Sequence, residues 1–463
     1  MGELSDLHER IQERLPGLLR EHEVPAAAWA VLRNGQVIDG AAGILNKATG
    51  VIATPDSIFQ IGSITKLWTS TLVLQLVDEG LVELDAPIRG YLPEFRVKDD
   101  QASSAITVRQ LLTHTAGFEG DIFTDTGIGD DCLQKFVEAL RDVPQLFTPG
   151  ERFSYNNAGY CLLGRLVEVI RGKQYDACLR DDLVTPLGLE HVATGPYEAI
   201  LFRAAVGHIE SEPGTGHHPA PVWAMARSNA PAGSMLSMRA RDLIEFARMH
   251  VDDGKAVDGT QVLAPGTAAS MHGRAVDLPD LGLMGSSWGL GFERFDREDG
   301  AIIGHDGTTI GQRAYLRMIP EAGVAVALLT NGGDGTSLYH DIVGDVLGEL
   351  TGKTLPALPA PPADPVVIDA ERFTGTYSTD LYDLVVSQGE DKRIWIEQLP
   401  KGSIAEGLGL QPERAELVHY RDDMLIPLLP DNGFHMPHAF VGDDGTGHAL
   451  YLHIGRAVRR AGA

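Results

Sequence analysis

Apolar residues recur at helical spacing from Leu7 to Leu19, which predicts an amphipathic helix leading to Val24-Pro25. Two apolar runs, Ala26 to Leu32 and Gln36 to Asp39, then flank Asn34-Gly35. This predicts a β-hairpin, because a type I′ turn needs positive φ at both central positions. From Ser63 to Val77 comes a long Leu-rich helical run ended by Gly80, and Val108 to Thr113 gives a shorter helix closed near Gly117. "SYNNAGYCLLGRLVEVIRG" reads as a turn followed by a helix that stops at Gly172, and "SMRARDLIEFARMH" as an amphipathic helix with Leu243, Phe246 and Ala247 on one face.

Near residue 290 the period changes. "WGLGFERF", "AIIGHDGTTIGQRAYLRMI" and "VAVALLTN" read as consecutive antiparallel strands with Gly-rich turns, and "YHDIVGDVLGEL" returns to helix. Strands at both ends around a mostly helical middle predict one antiparallel sheet completed by both ends of a mixed domain. Residues 355–366, "LPALPAPPADP" at their heart, are dense in proline, as in a stiff extended linker. Beyond them, "FTGTYS", "LYDLVVSQ", "RIWIEQL", "AELVHY", "MLIPLL", "HAFVG" and "ALYLHIG" are seven strand-like runs at near-regular spacing, which predicts a small all-β barrel or sandwich over residues 367–463. Residues 1–354 form the larger, α/β unit.

Composition narrows the function classes. The chain has 463 residues, 43% hydrophobic and 22% charged, within the range of globular proteins. A net charge of −26 argues against nucleic acid and against an anionic membrane surface as partners. The first ten residues show no basic start followed by an apolar run, and no stretch approaches the roughly 20 apolar residues of a membrane span, so a cytoplasmic enzyme is expected. Cys132, Cys161 and Cys178 lack metal-ligand spacing and read as reduced thiols, and neither His217-His218 nor the histidine of "HDG" has a convincing ligand set around it. No cofactor is called for, and no glycine-rich phosphate loop follows a strand.

Three segments carry chemistry. A serine hydroxyl is a weak nucleophile until a base takes its proton and dipoles hold the oxyanion. In "FQIGSITKLW", Gly62-Ser63 opens a helix and Lys66, three residues on, shares the face of Ser63. The lysine serves as base only if desolvation or positive neighbours lower its pKa. Tyr155-Asn156-Asn157 is the second segment: a phenol can act as a base where a cation such as Lys66 stabilises its phenolate, and the Asn157 amide can orient the lysine and a substrate carbonyl. The third is His305-Asp306-Gly307-Thr308 on a strand. Here the histidine can donate to the tyrosine or the substrate, Gly307 lets a substrate backbone approach, and the Thr308 N–H can join that of Ser63 as an oxyanion donor. Taken singly, each segment has a structural reading: a solvated helix start, a buried tyrosine, a packed histidine.

Together and in this order they are more specific. With "LLTHTAG" (Leu111 to Gly117), Pro149-Gly150, "NAGYCLLG", "PAGSMLSM" and "WGLGF", residues 10–350 resemble the superfamily of serine β-lactamases, penicillin-binding proteins and family VIII esterases. The resemblance implies a β-lactamase/transpeptidase-like α/β (α+β) domain, with the site between a helical subdomain and an antiparallel sheet edge. Ser63 would be the nucleophile, Lys66 and Tyr155 would share base duty, Asn157 would position substrate, and His305 would replace the lysine of Lys-Thr-Gly. That replacement departs from the pattern suited to a penicillin carboxylate.

The proline-rich linker and lipocalin-like C-terminal domain further resemble the penicillin-binding-protein-type thioesterases, surugamide-cyclase-like enzymes that take a nonribosomal peptide from its carrier-protein thioester and close it head to tail. By that resemblance the partner is a peptidyl carrier protein bearing a phosphopantetheine-linked peptide. Arg456, in the closing "YLHIGRAVRR", would bind peptide carbonyls or a carboxylate if the β-domain roofs the site. The alternatives are a serine hydrolase (family VIII esterase, D-amino-acid amidase or peptidase, weak β-lactamase) that passes the acyl group to water, and a non-catalytic receptor on the same fold.

Overall fold

The computed structural model describes residues 2–210, 214–379, 381–402, 411–431 and 434–462. The Asn-Gly hairpin forms: Ala26–Arg33 pairs with Gln36–Asn46, and Asn34 (φ 50°) and Gly35 (φ 75°) both occupy the left-handed region. Ala26–Arg33 then pairs antiparallel with Val324–Thr330 from the far end of the domain. Both ends of the chain's first 350 residues thus complete one nine-stranded sheet. Its order runs Val51–Ile52, Gln36–Asn46, Ala26–Arg33, Val324–Thr330, Arg313–Ile319, Ile302–Thr308, Glu293–Phe295, Ser287–Trp288, Val276–Asp277.

The central strands are apolar on both faces because both faces are covered. Ala26, Ala28, Ala30 and Leu32 join a core with Trp68 and Phe246, whose rings stack at 4.2 Å. The alternate residues Ala27, Trp29 and Val31 pack against Leu7, Ile11 and Leu15 of the Gly2–Glu21 helix. The Thr65–Asp78 helix is buried nearly all round from Thr65 to Leu76, so it shows no amphipathic stripe, and its buried polar side chains Lys66, Thr69, Thr71 and Gln75 find hydrogen-bond partners inside the domain.

Two details depart from the sequence expectation. "WGLGFERF" is not one strand: Ser287–Trp288 and Glu293–Phe295 pair with each other around a tight turn, with Gly291 at φ 98°. The last helix of the domain is interrupted, His340–Gly344 being a π turn between Gly335–Tyr339 and Asp345–Thr351.

The C-terminal region is a closed eight-stranded antiparallel barrel from Gly375–Ser378 to Ala457–Arg460. Its final run divides at Gly455 (φ 85°) into Tyr451–His453 and an eighth strand, Ala457–Arg460, which closes the barrel through Tyr377 opposite Arg460. Tyr377, Leu384, Ile396, Leu417, Phe440 and Leu452 fill its interior. Among the described residues no helix is long and apolar enough to cross a membrane.

Candidate active site

Ser63 lies in a single 3-10 turn, Gly62–Ile64, that leads into the Thr65–Asp78 helix. Gly62 has φ 53°, and a Cβ there would stand 2.6 Å from the Thr308 nitrogen; a Cβ on Gly307 would overlap the Ile61 carbonyl oxygen. Two glycines therefore let the serine turn and the edge of the Ile302–Thr308 strand meet backbone to backbone. The amides of that strand end alternate. Thr309 N–H, just past the strand, donates to Gln312 O across the turn to the neighbouring strand at 3.0 Å, whereas Asp306 N–H reaches the other way, to Glu293 Oε1 at 3.4 Å. By the same alternation Thr308 N–H points off the sheet edge, beside Ser63.

Lys66 is fully buried behind Ser63. Its Nζ donates to Ala232 O at 2.6 Å and to Asn157 Oδ1 at 2.7 Å, and lies 3.1 Å from Ser63 Oγ. Burial pulls its pKa from 10.5 down to about 7; Arg456 adds to the fall, while Cys161 and Asp121 oppose it. Two carbonyl oxygens can only accept, so they hold two amine hydrogens. In the neutral amine the remaining direction, towards Ser63 Oγ, is the lone pair. Lys66 is thus placed to take the serine proton.

Asn156 caps the Asn157–Arg171 helix through its side chain, which accepts from Gly159 N–H at 2.7 Å and donates to Phe118 O at 2.9 Å. That cap makes Asn157 the first helical residue and turns it towards Lys66. Tyr155 stands one residue before the cap, its ring stacked on His114 at 4.3 Å and its hydroxyl facing the cavity that Ser63 also lines. Burial holds the phenol well above the ordinary tyrosine pKa, although Ser63 and Arg456 both pull it down. The resting tyrosine therefore keeps its proton, unlike the phenolate that the sequence left open, and Lys66 is the side chain placed to act as base.

The barrel completes the site. Tyr155 N–H donates to Gly455 O at 3.0 Å, Ala457 N–H to Ser154 Oγ at 3.1 Å, and His453 Nε2 to Phe153 O at 3.0 Å. The turn between the last two barrel strands is thus fastened along the Phe153–Tyr155 segment. Arg456, at the tip of that turn, spans Asp121 with Nε at 2.8 Å and Nη2 at 3.2 Å, and its guanidinium lies 4.9 Å from the centre of the Tyr155 ring.

His305 is 1% exposed, with its Nδ1 2.5 Å from the Asp306 carbonyl oxygen. A carbonyl cannot donate, so Nδ1 carries the hydrogen and Nε2 presents a lone pair. The expected donation from His305 to tyrosine or substrate does not fit this tautomer; the ring accepts there. Burial, with Lys66 nearby, lowers its pKa to about 3, so it is a neutral wall of the site and not a cationic stand-in for lysine. Beneath the strand, Arg317 pairs with Asp306 at 2.7 Å and approaches Glu293 at 3.7 Å.

Ser63, Tyr155, Asn157, His305, Gly307, Thr308 and Arg456 all line one cavity of about 520 Å³; Lys66 sits behind its wall. Phe123, Met225 and Met284 add apolar surface. Asp121, His114 and the Glu293–Arg317 pair were not legible as site residues in the sequence. Asp121 follows "LLTHTAGFEG" directly, and that adjacency is the one local signal it has. Among the described residues no cluster of three or more His, Cys, Asp or Glu is placed to hold a metal ion.

Comparison with known proteins agrees with this geometry. The beta-lactamase family profile matches residues 10–347. Penicillin-binding protein 4 of Amycolatopsis lactamdurans is 46% identical over 375 residues, covering 81% of this chain and 98% of that protein. The crystal structure of SurE superposes with a TM-score of 0.78 at 29% identity, over 98% of this chain and 99% of SurE. These likenesses support the resemblance to the penicillin-binding-protein-type thioesterases. D-amino acid amidase from Ochrobactrum anthropi SV3 shares the fold (TM-score 0.62, 23% identity, 75% of this chain and 98% of that one). The chain therefore belongs to the beta-lactamase family, as a serine enzyme that works through an acyl-enzyme.

Proposed function

We propose that this chain is a stand-alone penicillin-binding-protein-type thioesterase. It accepts a nonribosomal peptide from a carrier-protein phosphopantetheine thioester onto Ser63 and releases it by head-to-tail macrolactamisation. The observation that carries the reading is the barrel's placement: Arg456 reaches into the cavity that holds Ser63, so the C-terminal domain is part of the site. The likeness to SurE spans 98% of the chain and hence the barrel as well, and SurE has also been crystallised with D-Leu, which supports a D-residue at the acylating end.

Ser63 Oγ bonds to the thioester carbonyl carbon while its proton passes to Lys66, and the oxyanion rests between the Ser63 and Thr308 N–H groups. As the C–S bond breaks, Lys66, through the Tyr155 hydroxyl, returns that proton to the departing thiolate. The peptide's own amine then bonds to the acyl carbon and gives its proton to the Lys66–Tyr155 pair, and Ser63 Oγ leaves protonated. Cyclisation outruns hydrolysis when the cavity holds the amine against the ester and keeps water out, an effective-molarity advantage. The apolar Phe123, Met225 and Met284 on the cavity wall suit that exclusion.

The test is product analysis with a linear peptide ending in a D-residue, presented as an N-acetylcysteamine thioester. The cyclic peptide is the expected product. Linear acid alone would transfer the chain to the hydrolase class that its D-amino acid amidase neighbour represents.

A further inference from the structure

We infer that Asp121 is a positioning residue that couples the seating of the barrel to the catalytic base, because one carboxylate both fixes the Asn157 amide towards Lys66 and clamps Arg456. The inference rests on the Ser63–Lys66 reading of the site and is independent of which acceptor takes the acyl group.

Five side chains form an unbroken line. Ser63 Oγ meets Lys66 Nζ at 3.1 Å, Lys66 Nζ meets Asn157 Oδ1 at 2.7 Å, and Asn157 Nδ2 meets Asp121 Oδ1 at 2.7 Å. Asp121 then takes both Nε and Nη2 of Arg456, 335 residues along the chain. Each link has a defined direction. An ionised carboxylate only accepts, so Asn157 must turn its NH₂ to Asp121 and its oxygen to Lys66. Were the amide reversed, its N–H would compete for the lysine lone pair that faces Ser63. Asp121 thus decides which end of Asn157 the base sees.

The same carboxylate holds the barrel. Asp121 is the acidic partner of Arg456, and the remaining contacts along Phe153–Tyr155 join mostly neutral groups. Arg456 and Asp121 also act on Lys66 with opposite sign, the guanidinium disfavouring its proton and the carboxylate favouring it. A barrel displaced from its seat would remove one charge and leave the other, so the base responds to whether the roof is closed. Asp121 itself is absent from the lining of the cavity that holds Ser63, which makes it a positioning residue and not a catalytic one.

The test uses the full-length chain and the pH dependence of Ser63 labelling by a fluorophosphonate, followed by intact mass spectrometry. The wild-type rate should rise along a single limb centred near pH 7. D121N should move that limb to lower pH and R456M to higher pH, each by about one unit, the order expected for loss of a unit charge two side chains away. D121E keeps the charge and should keep the wild-type limb, so a D121N defect that is only misfolding is recognised by D121E together with the melting temperatures. Rates lowered by one factor at every pH with the limb unmoved, or limbs displaced in the same direction by D121N and R456M, overturn the coupling. Absence of any label on Ser63 in the wild type removes instead the site reading on which it stands.

Discussion

Replacing Lys66 by methionine separates what the lysine does for catalysis from what its burial costs the fold. Unfolded, the side chain keeps its proton up to 10.5; folded, it gives it up at about 7. The sign follows from proton counting: between these values the unfolded chain binds one proton more than the folded one, so stability rises with pH, by about 1.4 kcal/mol per unit. Below the folded value both states are protonated and the burial penalty is complete; above 10.5 it has vanished. A methionine side chain carries no such proton. Wild type should therefore gain about 2.7 kcal/mol on K66M between pH 7.5 and 9.5, two units of that slope. The substitution also strands the Ala232 and Asn157 oxygens, at about 1–3 kcal/mol each, but that cost is independent of pH and displaces the curve without tilting it. Urea unfolding of both proteins across this range, followed by tryptophan fluorescence, measures the slope directly; Trp68, two residues from Lys66, is a buried reporter. A difference that stays flat with pH would mean that Lys66 enters the fold charged, and the assignment of the resting base would fall with it.

Two other substitutions test the same geometry. Y155F removes the hydroxyl that shares the cavity with Ser63 and keeps the ring on His114, so acylation should fall by about 10²–10³ while the melting temperature holds. G307A drives a methyl into the Ile61 carbonyl beside the serine turn; stopped-flow acylation should slow by at least about 10² as the oxyanion donors separate, and denaturant unfolding should show a loss of about 1–3 kcal/mol. Unchanged acylation in G307A would show that the Thr308 amide is not an oxyanion donor.

Much of this was legible in the chain because it is local. Ser63 and Lys66 stand one helical turn apart, Asn156 caps the helix that begins at Asn157, and the Asn34-Gly35 turn names its own backbone conformation. The order of the three motifs led to the fold, and the regular spacing of short runs to the barrel. What stayed hidden depends on register or on long-range contact. "WGLGF" looks like a strand until Gly291 adopts positive φ, and the eighth barrel strand is visible only once Gly455 is seen as a turn. Asp121 is one acidic residue among 64 until Arg456 and Asn157 converge on it. The protonation states were hidden for a different reason: whether Tyr155 or Lys66 holds its proton depends on burial, and the tautomer of His305 on a carbonyl one residue away.

The central claim is that Ser63 becomes acylated by a peptidyl thioester and passes the acyl group to an amine. Single-turnover mass spectrometry of the full-length chain mixed with a peptidyl N-acetylcysteamine thioester tests it most directly. The account predicts an early species heavier by the peptidyl group, mapped by digestion to the Ser63 peptide, absent from S63A, and decaying in step with the appearance of cyclic product. Cyclic product formed with no Ser63 adduct, or an adduct that decays only to linear acid, would contradict it.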